Sequence, residues 1–165
     1  MEFVENFLNQ NPNIDMEDRT DNGTVALHHA DTIPMVQLLL DFGADINAKS
    51  DFGFSILHIA VSFEDHKMRD FLLEQNIQVD LEDIDKRTPL FYAIAANDIE
   101  SVRALINAGG SCIHLDSQSV SPLQMAVSTG KLQIVESILS CSKNMTNHQN
   151  EFGFSPLHTL ALFPR

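Results

Sequence analysis

The sequence contains seven histidines, and an imidazole ring can ligate a metal or exchange protons near neutral pH. His28, His58 and His158 are widely separated along the chain, and the only local cluster is His28 and His29 with Asp31. A metal site needs ligands that converge in space, whereas adjacent residues on a helix point apart. We therefore predict no metal site, and these residues imply no cofactor.

A group of carboxylates lies between Asp80 and Asp85, which also includes Glu82 and Asp83. Two carboxylates act as an acid–base pair when an apolar environment raises the pKa of one of them. These carboxylates are instead expected to be exposed on a solvated rim. The sequence also has no nucleophile motif, no glycine-rich phosphate loop and no His-Glu-x-x-His zinc motif. We therefore predict that the chain is not an enzyme.

Charge restricts the class of partner. The chain has 165 residues, the size of one domain, with a formal net charge of −13 and an isoelectric point of about 4.7. Nucleic acid is not expected as a partner, because phosphates would be repelled. A basic protein or peptide suits this charge better, although the charge also serves solubility alone.

The N-terminus and the cysteines bear on cellular location. The first residues are acidic and lack a long apolar run, so neither a signal peptide nor membrane insertion is expected. The two cysteines, Cys112 and Cys141, have no metal-type spacing and are interpreted as reduced, mostly buried residues of an intracellular protein. We expect a cytoplasmic location, with the nucleus left open.

One short pattern recurs along the chain and predicts where its helices begin. A hydroxyl residue precedes leucine by two positions in Ser55-Ile56-Leu57, Thr88-Pro89-Leu90, Ser121-Pro122-Leu123 and Ser155-Pro156-Leu157, and Val25-Ala26-Leu27 is a weaker copy. Ser or Thr caps a helix by accepting a first-turn N–H, and Pro suits the first helical position. Pairs of helices of about eight to ten residues are unstable alone, so each unit must pack on its neighbours.

The spacing of these hydroxyl residues, 33, 33 and 34 positions from Ser55 to Ser155, and the Thr-Pro-Leu-His-x-Ala pattern resemble the ankyrin repeat. The resemblance implies an all-α fold, an ankyrin-repeat solenoid of stacked helix-turn-helix units with β-hairpin-like turns. The implied units are an N-terminal capping half-repeat at 1–20, four repeats at 21–49, 50–82, 83–115 and 116–147, and a truncated repeat at 148–165.

The family pattern also implies roles for single residues. Gly23, Gly53 and Gly153 fit the hairpin glycine, which Lys86 and Ser119 replace. The motif histidine ties one repeat to the next through backbone hydrogen bonds, which is implied here for His28, His58 and His158 but not for Phe91 and Gln124. The first repeat is about three residues short and needs a short inner helix. The fifth lacks its outer helix, so we expect that the parent chain continues or that something else covers this end.

The predicted binding surface is the concave face formed by hairpin tips and inner helices. Its members are aromatic or apolar side chains and nearby charges: Phe52, Phe54, Ile59, Phe63, Tyr92, Met125, Asp51, Asp83, Asp85 and Arg87. Such clusters mark binding sites, although the phenylalanines alternatively pack on neighbouring hairpins and only extend the core. Replacing Phe54 and Tyr92 with Ala is predicted to weaken binding by more than about tenfold and to leave the fold intact.

Three functions are consistent with this surface. The first is a non-catalytic module that binds a protein ligand with apolar anchors and basic flanks. The second resembles the NF-κB inhibitors, acidic ankyrin stacks that mask a basic segment of a transcription factor. The third is the recognition domain of a larger enzyme, ubiquitin-ligase adaptor or channel, because ankyrin stacks serve many unrelated roles.

Overall fold

The computed structural model describes residues 2–162, and within them the chain is all-helical with no strands. Nine α-helices and two short 3₁₀ turns follow one another in the order α1 Glu2–Gln10, 3₁₀ Ala26–His29, α2 Ile33–Asp41, α3 Ile56–Ser62, α4 His66–Glu74, α5 Pro89–Ala95, α6 Ile99–Asn107, α7 Pro122–Thr129, α8 Leu132–Cys141, 3₁₀ Lys143–Met145 and α9 Pro156–Leu162. This architecture confirms the predicted fold class.

The helices stack in two rows. The inner helices α3, α5, α7 and α9 pack in sequence, and the outer helices α4, α6 and α8 pack beside them. Each inner helix from α3 to α7 buries the leucine of its motif, Leu57, Leu90 or Leu123. The core is therefore a strip along the stack, in which each unit covers the apolar face of the next.

The helix caps follow the predicted pattern in the second, fourth and fifth repeats and depart from it in the third repeat. The hydroxyls of Ser55, Ser121 and Ser155 accept the N–H groups of His58, Gln124 and His158. Thr88 is also an N-cap with extended backbone, but its hydroxyl is buried and has no hydrogen-bond partner among the described residues. The predicted cap bond is therefore wrong for Thr88. Phe91 also offers no ring nitrogen to this hydroxyl, whereas the His58 ring bonds the hydroxyl of Ser55.

Backbone hydrogen bonds give the tips of the repeats a hairpin-like shape. In the second tip, the N–H of Ser50 donates to the carbonyl of Phe54, and Asp83 pairs with Arg87 in the third. Consecutive tips are also joined, for example by the N–H of Ile84 donating to the carbonyl of Phe52. Lys86 and Ser119 both have φ of +58°, so they adopt the left-handed conformation that glycine takes in the other tips.

The first repeat has the predicted short inner segment, a single 3₁₀ turn from Ala26 to His29. Helix α1 lies beside this repeat, and its residues Val4 and Phe7 line a cleft together with Met35 and Leu39 of α2. Leu8 of α1 is buried. The N-terminal segment thus covers one side of the first repeat, as the predicted cap would.

The cysteines are joined in a disulfide between the exit loop of α6 and the end of α8, with Cα atoms of Cys112 and Cys141 5.9 Å apart. The prediction of reduced cysteines is therefore wrong for this structure. Cys112 is buried as expected, but Cys141 is exposed. The stacking of the third and fourth repeats brings the two residues together, which their separation along the chain does not indicate.

At the other end of the stack, α9 leaves Leu157, Leu160 and Leu162 exposed. Residues 163–165 of the predicted fifth repeat lie outside the described residues.

Among residues 2–162, no helix combines the length and the apolar character that crossing a bilayer requires.

Candidate protein-binding surface

The structure divides the predicted binding residues among three places. Most lie on or behind the second and third tips, namely Asp51, Phe52, Phe54, Asp83, Asp85, Arg87 and Tyr92. Ile59 and Phe63 instead line a cleft between the first and second repeats. Met125 lines a cleft beside the fourth tip, together with Gln118, Val120 and Arg87. The predicted residues are thus distributed over the tips and two clefts, and Arg87 belongs both to the third tip and to the cleft at Met125.

The exposed apolar side chains of the second and third tips are Phe52 and Ile84, 51% and 65% exposed. They belong to consecutive tips that a backbone hydrogen bond of 3.1 Å joins. Asp51 and Asp85 stand next to them in the chain and are also exposed. We call these residues the tip surface. The prediction missed Ile84, although the corresponding residues of the neighbouring repeats, Asp51 and Ser117, are polar.

Phe54 and Tyr92 form an aromatic cluster with the buried ring of His58. The ring centroids are 5.4 Å apart for Phe54 and Tyr92, and 5.6 Å for each of these rings and His58, all edge to face. Such pairs contribute about 0.5–1.5 kcal/mol beyond their buried area. For these two residues the alternative interpretation, an extension of the core, describes the contacts. We therefore expect Phe54→Ala and Tyr92→Ala to lower the stability of the fold. A loss of binding in either variant would therefore not measure a direct contact with the partner.

Asp83 is buried, which makes the prediction of an exposed rim charge wrong at this position. Its carboxylate accepts the N–H groups of Asp85 and Arg87, both at 2.8 Å, and the hydroxyl of Tyr92 at 2.5 Å. Burial, followed by this bond to Asp83, raises the pKa of Tyr92 well above its usual range. Asp83 therefore holds the third tip in shape.

A signal for this role was present in the sequence. Asp116 and Asn150 accept the corresponding N–H groups in the fourth and fifth tips, and the Ser50 hydroxyl accepts one in the second. Each of these residues stands five positions before the hydroxyl of its helix cap. A polar acceptor at that fixed offset indicates an Asx-type turn rather than a free carboxylate.

Arg87 contributes little free positive charge to the tips. Its guanidinium lies 3.6 Å from the carboxylate of Asp85 and 3.8 Å from that of Asp116. The carboxylate of Asp116 is buried, and that of Asp85 is exposed. Arg87 thus offsets part of the negative charge of Asp85 and Asp116.

The histidines of the first two repeats tie neighbouring repeats together, as the resemblance implied. In the second repeat, Nδ1 of His58 accepts the N–H of Ser55, and Nε2 donates to the carbonyl of Arg87 at 3.2 Å. His28 makes the corresponding bond to the carbonyl of Phe54 at 2.9 Å. His158 bonds the Ser155 hydroxyl of its own repeat, so the implied tie is not formed within the described residues.

Gln124 performs the same role in the fourth repeat. Its side-chain oxygen accepts the N–H of Ser121, and its amide donates to the carbonyl of Phe154. An uncharged amide can therefore replace the histidine at this position. The substitution His58→Gln is therefore expected to keep hydrogen bonds of this kind and to remove the titratable ring.

Burial lowers the pKa of His58, which predicts a pH-dependent stability. Above an unfolded pKa of about 6.5 the contribution of the neutral ring is complete, and it is lost as the pH falls toward the folded pKa because only the unfolded chain takes up the proton. We expect the stability advantage of the wild type over His58→Gln to shrink by up to about 1 kcal/mol per pH unit below that point. Urea unfolding of both proteins across this range measures it, and a constant difference would contradict it.

Comparison with known proteins agrees with this architecture. The family model described as ankyrin repeats, in three copies, matches residues 1–83, 29–117 and 77–149. The chain therefore belongs to the ankyrin-repeat family. Ankyrin repeats are protein–protein interaction modules, generally without catalytic activity.

The similar proteins differ in size and role. A putative ankyrin repeat protein of fowlpox virus, FPV223, is 28% identical over 125 residues, which cover 75% of this chain and 86% of that protein. The probable 26S proteasome regulatory subunit p28 of Saccharomyces cerevisiae is 28% identical over 152 residues, covering 68% of this chain and 67% of the subunit. The human transient receptor potential cation channel subfamily A member 1 is 31% identical over 134 residues, covering 77% of this chain but 12% of the channel.

Proposed function

We propose that this chain is a non-catalytic module that binds another protein through the concave side of the stack, with the tip surface as its main contact. The observation that carries the proposal is the exposure of Phe52 and Ile84 on two tips that touch each other. Neither side chain is needed to fill the core, and exposed apolar groups that cluster favour binding. The module presents a preformed surface, so little ordering is required of it.

The partner is proposed to carry an apolar anchor with lysine or arginine beside it. Asp51 and Asp85 flank the apolar pair, and the chain has a formal net charge of −13. Complementary charge increases the rate of association more than the final affinity. Binding should therefore weaken as salt screens these carboxylates, over a Debye length of about 10 Å at 0.1 M salt.

The test uses variants that change the tip surface without disturbing the core. Short random peptides displayed on phage are selected against the wild-type chain, and the dissociation constants of the recovered peptides are measured by calorimetry. The double variant Phe52→Ser with Ile84→Ser is expected to weaken binding by more than about tenfold. Phe152→Ser is the matched control, since Phe152 is 64% exposed on the fifth tip. Equal affinity for all three proteins would refute the tip surface as the contact.

A narrower alternative is a protein that masks a basic segment of a transcription factor, as in the NF-κB inhibitors. The acidic charge of the chain supports this alternative. A basic nuclear-targeting peptide should then bind strongly at low salt and weakly at high salt. Absent or salt-independent binding would exclude it.

The other alternative is a recognition domain within a larger enzyme, ubiquitin-ligase adaptor or channel. The chain corresponds to only 12% of the matched human channel and 33% of a putative ankyrin repeat protein of Rickettsia bellii. Sequencing the complete transcript tests this alternative directly.

A cytoplasmic location, with the nucleus left open, is also proposed. Imaging of a fluorescent fusion of the chain in cells tests it.

A further inference from the structure

The short inner segment of the first repeat leaves a cleft against the second repeat. Its 3₁₀ turn has four residues, whereas the inner helices α3, α5 and α7 have seven or eight. About one helical turn is thus missing opposite the second half of α3, since a turn takes about 3.6 residues. We call the resulting cleft, lined by Ala30, Asp31, Ile59, Phe63 and Asp65, the slot.

The floor of the slot is apolar and the rim is acidic. Ile56, Ala60 and Met68 are buried at its base, and Phe63 stands at its edge with 81% of its surface exposed. Asp31 and Asp65 line it, and both are exposed. The Asp65 carboxylate also caps α4 by accepting the N–H of Met68 at 3.0 Å.

The two histidines beside the slot are already occupied by other contacts. Nδ1 of His28 accepts the N–H of Val25, and its Nε2 donates to the carbonyl of Phe54. Nε2 of His29 lies 2.8 Å from the hydroxyl of Thr24. The carboxylates of Asp31 and Asp65 are therefore the charged groups that a ligand in the slot would meet.

We propose that the slot is a second binding site, which takes one large apolar side chain of a partner peptide with lysine or arginine next to it. The volume of about 310 Å³ lies at the lower end of ligand pockets. It suits a leucine, methionine or phenylalanine side chain rather than a cofactor. The two rim carboxylates select a basic flank by charge complementarity. The inference rests on the proposed function only in that the ligand is a protein segment.

The test replaces Ala30, which lines the slot, with a larger side chain that fills it. Short random peptides on phage are first depleted on the Ala30→Leu chain and then selected on the wild-type chain, so that recovered peptides depend on the open slot. Ala30 is half-buried at the end of the 3₁₀ turn, where a larger side chain would occupy the space of the ligand. Recovered peptides are expected to share an apolar residue beside lysine or arginine. Their dissociation constants should rise by more than about tenfold on Ala30→Leu and on Phe63→Ser.

Charge and location are tested separately. Asp31→Asn with Asp65→Asn retains an oxygen to cap α4 and is expected to weaken binding by about threefold or more. Glu136→Gln, an exposed carboxylate on α8, is the matched control and should change nothing. The tip double variant Phe52→Ser with Ile84→Ser should also leave slot binding unchanged, so failure of the slot and failure of the tip surface are distinguishable.

Four outcomes would overturn the slot proposal. One is that no peptide survives depletion, and another is that the recovered peptides are acidic. The third is full affinity for folded Phe63→Ser, as checked by thermal unfolding, which keeps the test valid if Ala30→Leu does not fold. The fourth is a wild-type dimer that Ala30→Leu converts to a monomer in sedimentation, because a second copy would then be the occupant.

Discussion

Replacing Gly53 with alanine is expected to lower the free energy of unfolding by about 3–4 kcal/mol, whereas the same change at Gly153 should cost about 1 kcal/mol. Both glycines have φ of +78°, so the backbone strain of an added side chain is the same. The difference lies in the neighbouring repeat. A Cβ at Gly53 would lie 2.5 Å from Cα of Asp83, whereas no atom of the described residues lies within 4 Å of a Cβ at Gly153.

The clash at Gly53 is costly because it involves backbone. The added Cβ would also lie 2.8 Å from the carbonyl carbon of Asp83 and 2.9 Å from the carbonyl oxygen of Glu82. Rotation of a side chain cannot relieve these contacts, so the third tip must move away. That movement would break the hydrogen bond between the N–H of Ile84 and the carbonyl of Phe52.

Urea unfolding of the two variants, followed by circular dichroism, measures the comparison. A larger loss at Gly53 than at Gly153 would show that close contact between tips, and not backbone conformation alone, requires glycine here. Equal losses would contradict the contact.

Lys86→Gly introduces a glycine where Gly53→Ala removes one. It is expected to stabilise the chain by up to about 1 kcal/mol because Lys86 already has a φ of +58°.

Reduction of the bond between Cys112 and Cys141 is the second large effect. The cysteines are separated by 29 residues, and closing a loop of that length stabilises a fold by about 3–4 kcal/mol in the chain-entropy account. Reductant should therefore lower the stability of the wild-type chain by about this amount. The bond joins the third repeat to the fourth, so the loss should be concentrated in the C-terminal half of the stack.

Cys141→Ser is the matched control for reduction, because the exposed position of Cys141 limits other effects of the change. The variant should resemble the reduced wild type, and reductant should not affect it further. Non-reducing mass spectrometry reports the bond, and hydrogen exchange locates the loss. Free thiols in the chain isolated from its native compartment would support the proposed cytoplasmic location, since reducing compartments keep thiols reduced. A wild type that is equally stable with and without reductant would contradict the prediction.

Much of the fold was predictable from the sequence because it depends on short local patterns. The hydroxyl cap Ser121 and the proline after it predicted the start of α7 at Pro122. The ties made by His28 and His58 followed from the family motif. The candidate site was less predictable, since the structure distributes over the tips, the slot and the cleft at Met125 the residues that the repeat pattern had assigned to one face.

The sequence by itself determined the repeat period and the starts of the helices, because capping, helical spacing and turn residues act within a few positions of each other. Only the tertiary structure decided that Ile84 lies beside Phe52, that Cys112 meets Cys141 and that a slot opens next to Phe63. Each of these features joins residues about one repeat apart. Their contact depends on how closely two repeats pack, and no local pattern of the sequence measures that distance.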